Sequence, residues 1–191
     1  MTNGHSLMED FQPFEILPGK HDSGMVILGD HAMNRLPESY GKLGLPGTAF
    51  ARHIAYDIGI EGLARSLSAR LGVPAVLGGF SRLLIDPNRG EDDPTLIMKI
   101  SDGAIIPGNH PISKAEWQGR IERFHRPYHD AVAMEIAKVA SATGKAPLVV
   151  LLHGSSGIAP AIKDFQIWLA DTLGLASVAP DSLAIPDRLT Y

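Results

Sequence analysis

No cysteine occurs anywhere in the chain, which excludes a disulfide framework and a thiolate zinc site. Any bound metal must therefore be held by imidazole and carboxylate, and eight histidines are available. A basic excess is also missing. Seventeen Lys and Arg stand against 21 Asp and Glu, for a formal charge of -4, and no long basic run supplies the footprint that nucleic acid requires. No apolar stretch approaches the ~20 residues needed to span a bilayer. The opening segment, MTNGHSLMEDFQPFEILPG, lacks the basic start and apolar core of a signal peptide, so a cytoplasmic protein with no membrane partner is expected. Hydrophobic residues make up 45% and charged residues 20%, proportions of a globular chain rather than a disordered one. The length of 191 residues suits a single α/β domain able to bury most of its apolar surface. Neither an internal repeat nor a low-complexity tract is present.

Met25-Val26-Ile27-Leu28 is a short apolar run that ends at Gly29-Asp30-His31 and reads as a buried strand with polar residues at its C-terminal end. Residues 51–71 place Ile54, Ile58, Leu63, Leu67 and Leu71 at spacings that suit one helical face, closed by Gly72 and Pro74. Residues 75–77 and 83–85 are strand candidates around Gly78-Gly79, 87–94 is loop, and 95–109 has the mixed character of a hairpin. Ser113 with Glu116 three residues on forms a capping box. Pro127 divides the helical stretch that follows, and a second helix is predicted over 128–142 with Gly144 as its stop. Residues 148–152 form another apolar strand ending at His153, 160–173 a helix, and 176–179 a last strand. Strands alternating with helices imply a three-layer, doubly wound, mostly parallel sheet.

His31 and His153 each follow an apolar strand, and a parallel sheet brings such positions together at one edge. They form a candidate pair of metal ligands, with Glu38, Asp30 or Asn34 as the nearby third and an open position for water. Spacing alone equally allows His31 to cap a strand and His153 to satisfy backbone in a turn. Arg82 and Arg89 bracket an apolar segment that ends in Asp86-Pro87-Asn88-Arg89. Guanidinium forks with a neighbouring Asn make an anchor for an acidic small molecule; the same residues are also ordinary turn chemistry. His53 and Asp57 are four apart, and either support a site or make a plain helical contact. Arg123, Arg126 and His129 crowd the Pro127 break as anion-pocket candidates or as solvated helix charges. His5, His21, His110 and His125 have nothing in their context to distinguish them.

Asp30-His31-Ala32 with Asn34 and Pro37-Glu38, Leu43-Gly44-Leu45, His53-Ile54-Ala55-Tyr56-Asp57-Ile58-Gly59, Ser81-Arg82-Leu83, Asp86-Pro87-Asn88-Arg89, Ile106-Pro107-Gly108-Asn109 and Pro127-Tyr128-His129 occur in an order that resembles the N-formylglutamate amidohydrolase family over about 14–153. The resemblance implies a fold like that of the zinc carboxypeptidases (phosphorylase/hydrolase-like) and hydrolysis of an N-acyl amide on an acidic amino acid. It implies His31, Glu38 or Asn34, and His153 as ligands of a divalent metal, zinc above all. Asn88 and Arg89 would hold the substrate carboxylate with help from Arg82. Metal-activated water would attack the formyl carbonyl while a positive side chain stabilises the oxyanion.

Beyond residue 153 the pattern departs from that family. His-Ser and Phe-Thr-Pro, and a late strand bearing the expected general base, do not follow. Gly154-Ser155-Ser156-Gly157, a helix, and Ser177-Val178-Ala179-Pro180-Asp181-Ser182 instead resemble a dienelactone-hydrolase-like α/β-hydrolase, with a junction near 148–153. The Gly-x-Ser-x-Gly elbow of that group is absent from the chain, so serine-hydrolase chemistry is not expected. A base would then have to come from Glu38, Asp57 or Asp86, and a hybrid that binds an acidic molecule without turnover is the alternative. An exposed strand edge predicts self-association into a homo-oligomer.

Overall fold

The computed structural model describes residues 11–153, 163, 166–167, 169–171 and 175–179. In chain order its main elements are β1 (Phe14–Leu17), β2 (Met25–Gly29), α1 (Ile60–Leu71), β3 (Ala75–Gly78), β4 (Ile100–Ser101), β5 (Ala104–Ile105), α2 (Lys114–Arg120), α3 (Arg126–Thr143), β6 (Leu148–Leu151) and β7 (Ala176–Val178). Strands β3, β2, β6 and β7 pair parallel, and β1 adds an antiparallel edge beside β3. A mostly parallel sheet is thus present. The chain leaves β2 through α1 to reach β3 on one side, then returns through α2 and α3 to β6 on the other. Strand order therefore reverses at β2, and crevices for ligands open beyond the carboxyl ends of strands at such a reversal.

Alternation along the strands sorts side chains onto two faces. Val26, Leu28, Val76, Val149 and Leu151 share one buried cluster with Tyr128, Val132 and Ile136 of α3. Ile27, Ala75 and Leu77 share the other with Ile60 and Ala64 of α1. Each such side chain stabilises the fold by about 1.5–3 kcal/mol if large and fully buried, and sandwiching the sheet between α1 and α3 leaves its charged end to the loops. Close approach at that end depends on Gly78, where a Cβ would stand 2.1 Å from the Asp30 carbonyl oxygen.

Several sequence expectations change in the folded chain. The helix predicted over 51–71 starts only at Ile60, because Gly59 adopts φ +90° and turns the chain in; a 3-10 turn occupies Gly47–Ala51. Its buried face is Ile60, Ala64 and Ser68, while Ile58, Leu63 and Leu71 are exposed. Residues 83–85 are fully buried but form a turn, not a strand. Side chains take the place of a ladder there: Asn109 donates to the Leu83 carbonyl at 2.8 Å and Arg120 to the Leu84 carbonyl at 2.9 Å. β1 was not foreseen, since four half-buried residues carry no period long enough to read.

Other expectations hold. The 95–109 segment contains the β4–β5 hairpin, turned by Asp102 and Gly103 at φ 47° and 74°, the left-handed pair that such a turn requires. Ser113 caps α2 by accepting from the Glu116 N–H, and Gly144 closes α3 at φ +64°. The break at Pro127 is a π-helical turn over Ile121–His125, with Pro127 in the first turn of α3. The helix expected over 160–173 falls mostly outside the described residues, although its described positions are helical. Gly154 to Gly157 and Pro180 to Ser182 lie outside them altogether. Among the described residues no helix is long and apolar enough to cross a membrane.

Candidate active site

His31 follows β2 directly and is 4% exposed. Its Nε2 donates to Asp86 Oδ1 at 2.7 Å, and its Nδ1 lies 3.5 Å from Asp57 Oδ2. Local backbone bonds hold both partners in place. The Asp57 N–H donates to the His31 carbonyl at 2.9 Å, and the Asp86 N–H to the Leu96 carbonyl at 2.8 Å. Burial by itself disfavours a charged imidazole, but the two carboxylates outweigh it and raise His31 to about 9. At neutral pH the ring is an imidazolium.

Asp86 is the hub of the cluster. It is 1% exposed, accepts from His31, from Arg82 Nη2 at 3.1 Å and from the Asn88 backbone N–H at 3.0 Å, and lies 3.4 Å from Arg89 Nε. Burial pushes its carboxyl up, yet the charges and hydrogen bonds of His31, Arg82 and Asn88 bring it below the ordinary carboxylate range. Arg82 also faces Asp57 at 3.8 Å, and Arg89 faces Asp93 at 3.4 Å. Both arginines remain a quarter to a third exposed.

A supporting layer surrounds this centre. Tyr128 donates to Asp30, whose carboxyl burial raises above its usual value. Arg120, 2% exposed, donates to Glu116, to Asn109 and to the carbonyls of Leu84 and Gly108. Asn109 in turn holds the carbonyls of Leu83 and Met98. The Ile106-Pro107-Gly108-Asn109 motif is therefore scaffold for the segment carrying Arg82 and Asp86. It also explains Leu43-Gly44-Leu45: the Gly108 N–H donates to the Leu43 carbonyl, and a Cβ on Gly108 would meet the Leu43 backbone at 2.8 Å.

The structure thus joins His31, Arg82, Asn88 and Arg89 into one locality, and adds Asp57 and Asp86 to it. Asn88 and Arg89 are both half-buried. His153 follows β6, the parallel neighbour of β2, and is half-buried at the same edge of the sheet. Glu38 is exposed at the start of a 3-10 turn over Glu38–Tyr40. Asn34 donates to the Phe50 carbonyl at 2.6 Å. His53 makes no helical pair with Asp57; residues 52–55 are turn, and His53 is exposed with its ring 3.9 Å from Asp102. His21, unremarkable in sequence, bonds the buried Glu135 at 2.9 Å. His125, equally unremarkable there, bonds the Arg89 carbonyl. Its only signal was the four-residue spacing to His129 across Pro127.

A divalent ion implied by the resemblance must be tested against these contacts. Both ring nitrogens of His31 already face carboxylates, Asp86 at 2.7 Å and Asp57 at 3.5 Å, and the guanidinium groups of Arg82 and Arg89 stand beside that cluster. Among the described residues no three His, Asp or Glu side chains converge as a ligand set. His31, Glu38 and His153 as placed here do not fit such an ion.

Fold and site together define an α/β protein with a buried ionic centre beyond the carboxyl ends of its central strands. The family model for N-formylglutamate amidohydrolase matches residues 23–179, and the chain belongs to that family. The match runs through 148–153 and on into β7, so the α/β-hydrolase resemblance of the tail finds no support. Gene product Atu2144 from Agrobacterium tumefaciens has a similar crystal structure, at 26% identity and TM-score 0.68, over 90% of this chain and 73% of that one. The N-formylglutamate amidohydrolase from Ralstonia eutropha JMP134 shares the fold at 21% identity and TM-score 0.59, over 87% and 75% of the two chains. Among curated proteins no match to the chain is found.

Proposed function

We propose that this protein hydrolyses an N-acyl amide, of the N-formyl kind, on an acidic amino acid. The observation that carries the reading is the pair of partly exposed guanidinium groups, Arg82 and Arg89, held beside the buried Asp86. Arg89 and Asn88 would hold the substrate carboxylate, since a fork and a neighbouring amide match a planar anion. Arg82, nearer Asp57, would face the formyl oxygen and stabilise the charge it gains. Asp57 is 14% exposed, in contrast to Asp86 at 1%, and is the carboxylate of the cluster that water can reach. It would take a proton from water as the oxygen attacks the formyl carbon. That proton then passes to the leaving nitrogen as the C–N bond breaks, releasing formate and the free amino acid.

Glu38 remains an alternative base by resemblance alone. The divalent ion rests on the resemblance alone and is tested by assaying with added zinc and with chelator; no step above runs through it. The doubly wound, zinc-carboxypeptidase-like class, the cytoplasmic location and a homo-oligomer formed along an exposed strand edge complete the proposal.

The test is formate release from N-formyl-L-glutamate by purified protein, with calorimetric binding of the same compound. Arg89→Ala should raise KM about 30-fold or more, the equivalent of about 2–3 kcal/mol for a charged hydrogen-bonded pair. Asp57→Asn should lower kcat by about 10²–10⁴. Binding without turnover would favour the alternative of a non-catalytic binder. Neither binding nor turnover, with or without zinc, would sink the proposal.

A further inference from the structure

His125 and His129 lie one turn apart, on either side of the junction between the π-turn and α3. Their rings stand 4.4 Å apart, and both point at the loop that begins with Asp86. His125 Nε2 lies 2.9 Å from the Arg89 carbonyl oxygen, and His129 Nε2 lies 3.0 Å from the Pro87 carbonyl oxygen. A carbonyl only accepts, so both Nε2 atoms must carry the proton. In the neutral ring Nδ1 then keeps its lone pair, and that of His125 is buried with no hydrogen-bond partner. Burial also pushes both histidines down, His129 to about 4. Two neutral imidazoles in one tautomer, their rings tilted 49° to each other, therefore lie beneath the loop. Its outer end is held as well, by a bidentate Arg126–Glu91 pair at 2.8 Å.

We infer that His125 and His129 are positioning residues, a two-point clamp on the backbone of Pro87 and Arg89 that aims the Asn88 and Arg89 side chains into the crevice. The loop's own N–H groups are already spent inside the turn: that of Asn88 on Asp86 Oδ1, that of Arg89 on the Asp86 carbonyl. Those bonds shape the turn without fixing it to the body of the protein. The carbonyls at 87 and 89 point the other way, and the two imidazoles attach them to the helix under the sheet's charged end. The π-turn contributes by its register. Arg126 donates its N–H to the Ile121 carbonyl, five residues back, which offsets α3 from α2, and such turns recur at functional sites.

The inference rests on the proposed amide hydrolysis for its catalytic consequence, but the clamp itself has an independent readout. The bond between Arg89 and Gly90 is a trypsin site, and its carbonyl is the group that His125 holds. A protease needs that carbonyl free and the loop locally open. In the full-length protein, His125→Leu and His129→Leu should raise the rate of cleavage after Arg89, followed by mass spectrometry, at least about 10-fold over wild type. His125→Gln and His129→Gln, whose amides still donate to a carbonyl, should stay within a few-fold of wild type. Thermal melts on the same samples separate local opening from global unfolding. In the formate assay the Leu variants should raise KM about 10-fold with kcat little changed, because the anchor and not the reacting centre is loosened.

Leu variants that fold and are cut after Arg89 no faster than wild type overturn the clamp, whatever their kinetics. Faster cutting with unchanged KM also overturns the positioning role. A wild type that neither binds nor turns over N-formylglutamate defeats the proposed reaction, and the cleavage result then decides the clamp by itself. If the Leu variants do not fold, the Gln pair carries the test, and loss of loop protection in them would overturn the inference.

Discussion

Replacing Asp86 by Asn would test the ionic centre directly. The carboxylate is 1% exposed and faces His31 at 2.7 Å, Arg82 at 3.1 Å and Arg89 at 3.4 Å. An Asn keeps the shape, and its oxygen can still accept from His31 and from the Asn88 N–H. Its NH2 group then confronts a guanidinium, donor against donor, and three cationic groups lose their central anion. Removing one partner of a buried pair costs about 3–5 kcal/mol. The pH dependence sharpens the test. In the wild type His31 is raised from 6.5 to about 9, so its stabilisation is complete below pH 6.5 and lost as the pH climbs through 9. A shift of that size corresponds to about 3 kcal/mol. Without Asp86 most of the shift disappears. Urea unfolding followed by far-UV circular dichroism at pH 6 and pH 9.5 should find the variant weaker by about 3–5 kcal/mol at pH 6, with the gap narrowed by about 3 kcal/mol at pH 9.5. A loss under about 1 kcal/mol at pH 6, or a gap that does not change with pH, would refute the account of Asp86 as a buried counter-ion to His31.

His129 is displaced in the opposite sense, lowered to about 4, so its contribution is complete above pH 6.5 and disappears as the pH falls toward 4. Melting temperature against pH should accordingly peak near 6.5, and a plateau reaching to pH 9 would contradict the His31 assignment. Arg120→Leu takes the guanidinium away from the Asn109 side-chain oxygen and the carbonyls of Leu84 and Gly108, while Glu116 keeps Tyr40 and Arg123, and should cost about 3 kcal/mol or more in chemical denaturation; a near-neutral result would show that water replaces the guanidinium. Gly78→Ala drives a Cβ to 2.1 Å from the Asp30 carbonyl oxygen, so the end of β2 must move. Overpacking against backbone should lower stability by at least about 1–3 kcal/mol, and a crystal structure with Asp30 and His31 unmoved would count against that reasoning.

Much of the framework could be read from the chain alone, because it is written in neighbouring residues. Apolar runs marked β2, β3 and β6, the Ser113–Glu116 spacing marked the start of α2, and the mixed character of 95–109 marked a hairpin. The order of short motifs carried the family, and Arg82 and Arg89, close in sequence, both face the Asp86 carboxylate while Asn88 donates its N–H to it. Local pattern also misled where a side chain from elsewhere replaced the backbone partner. Residues 83–85 have the composition of a strand, yet Asn109 and Arg120 satisfy their carbonyls and hold them as a turn. Apolar spacing over 51–71 likewise ignored the left-handed Gly59, which sets where α1 begins and which face it buries.

By itself the sequence determined most of the strands and helices, though not β1, because propensity, caps and turn residues act within a few positions of one another. Only the tertiary structure decided what the polar motifs do. His31 meets Asp86 across 55 residues, Tyr128 reaches Asp30 across 98, and His125 reaches Arg89 across 36. These pairings come from parallel crossovers that bring separate strand ends and loops to one edge. Whether a histidine is a base, a ligand or an imidazolium depends on the burial and charge it finds there, and neither quantity is a property of its neighbours in the chain.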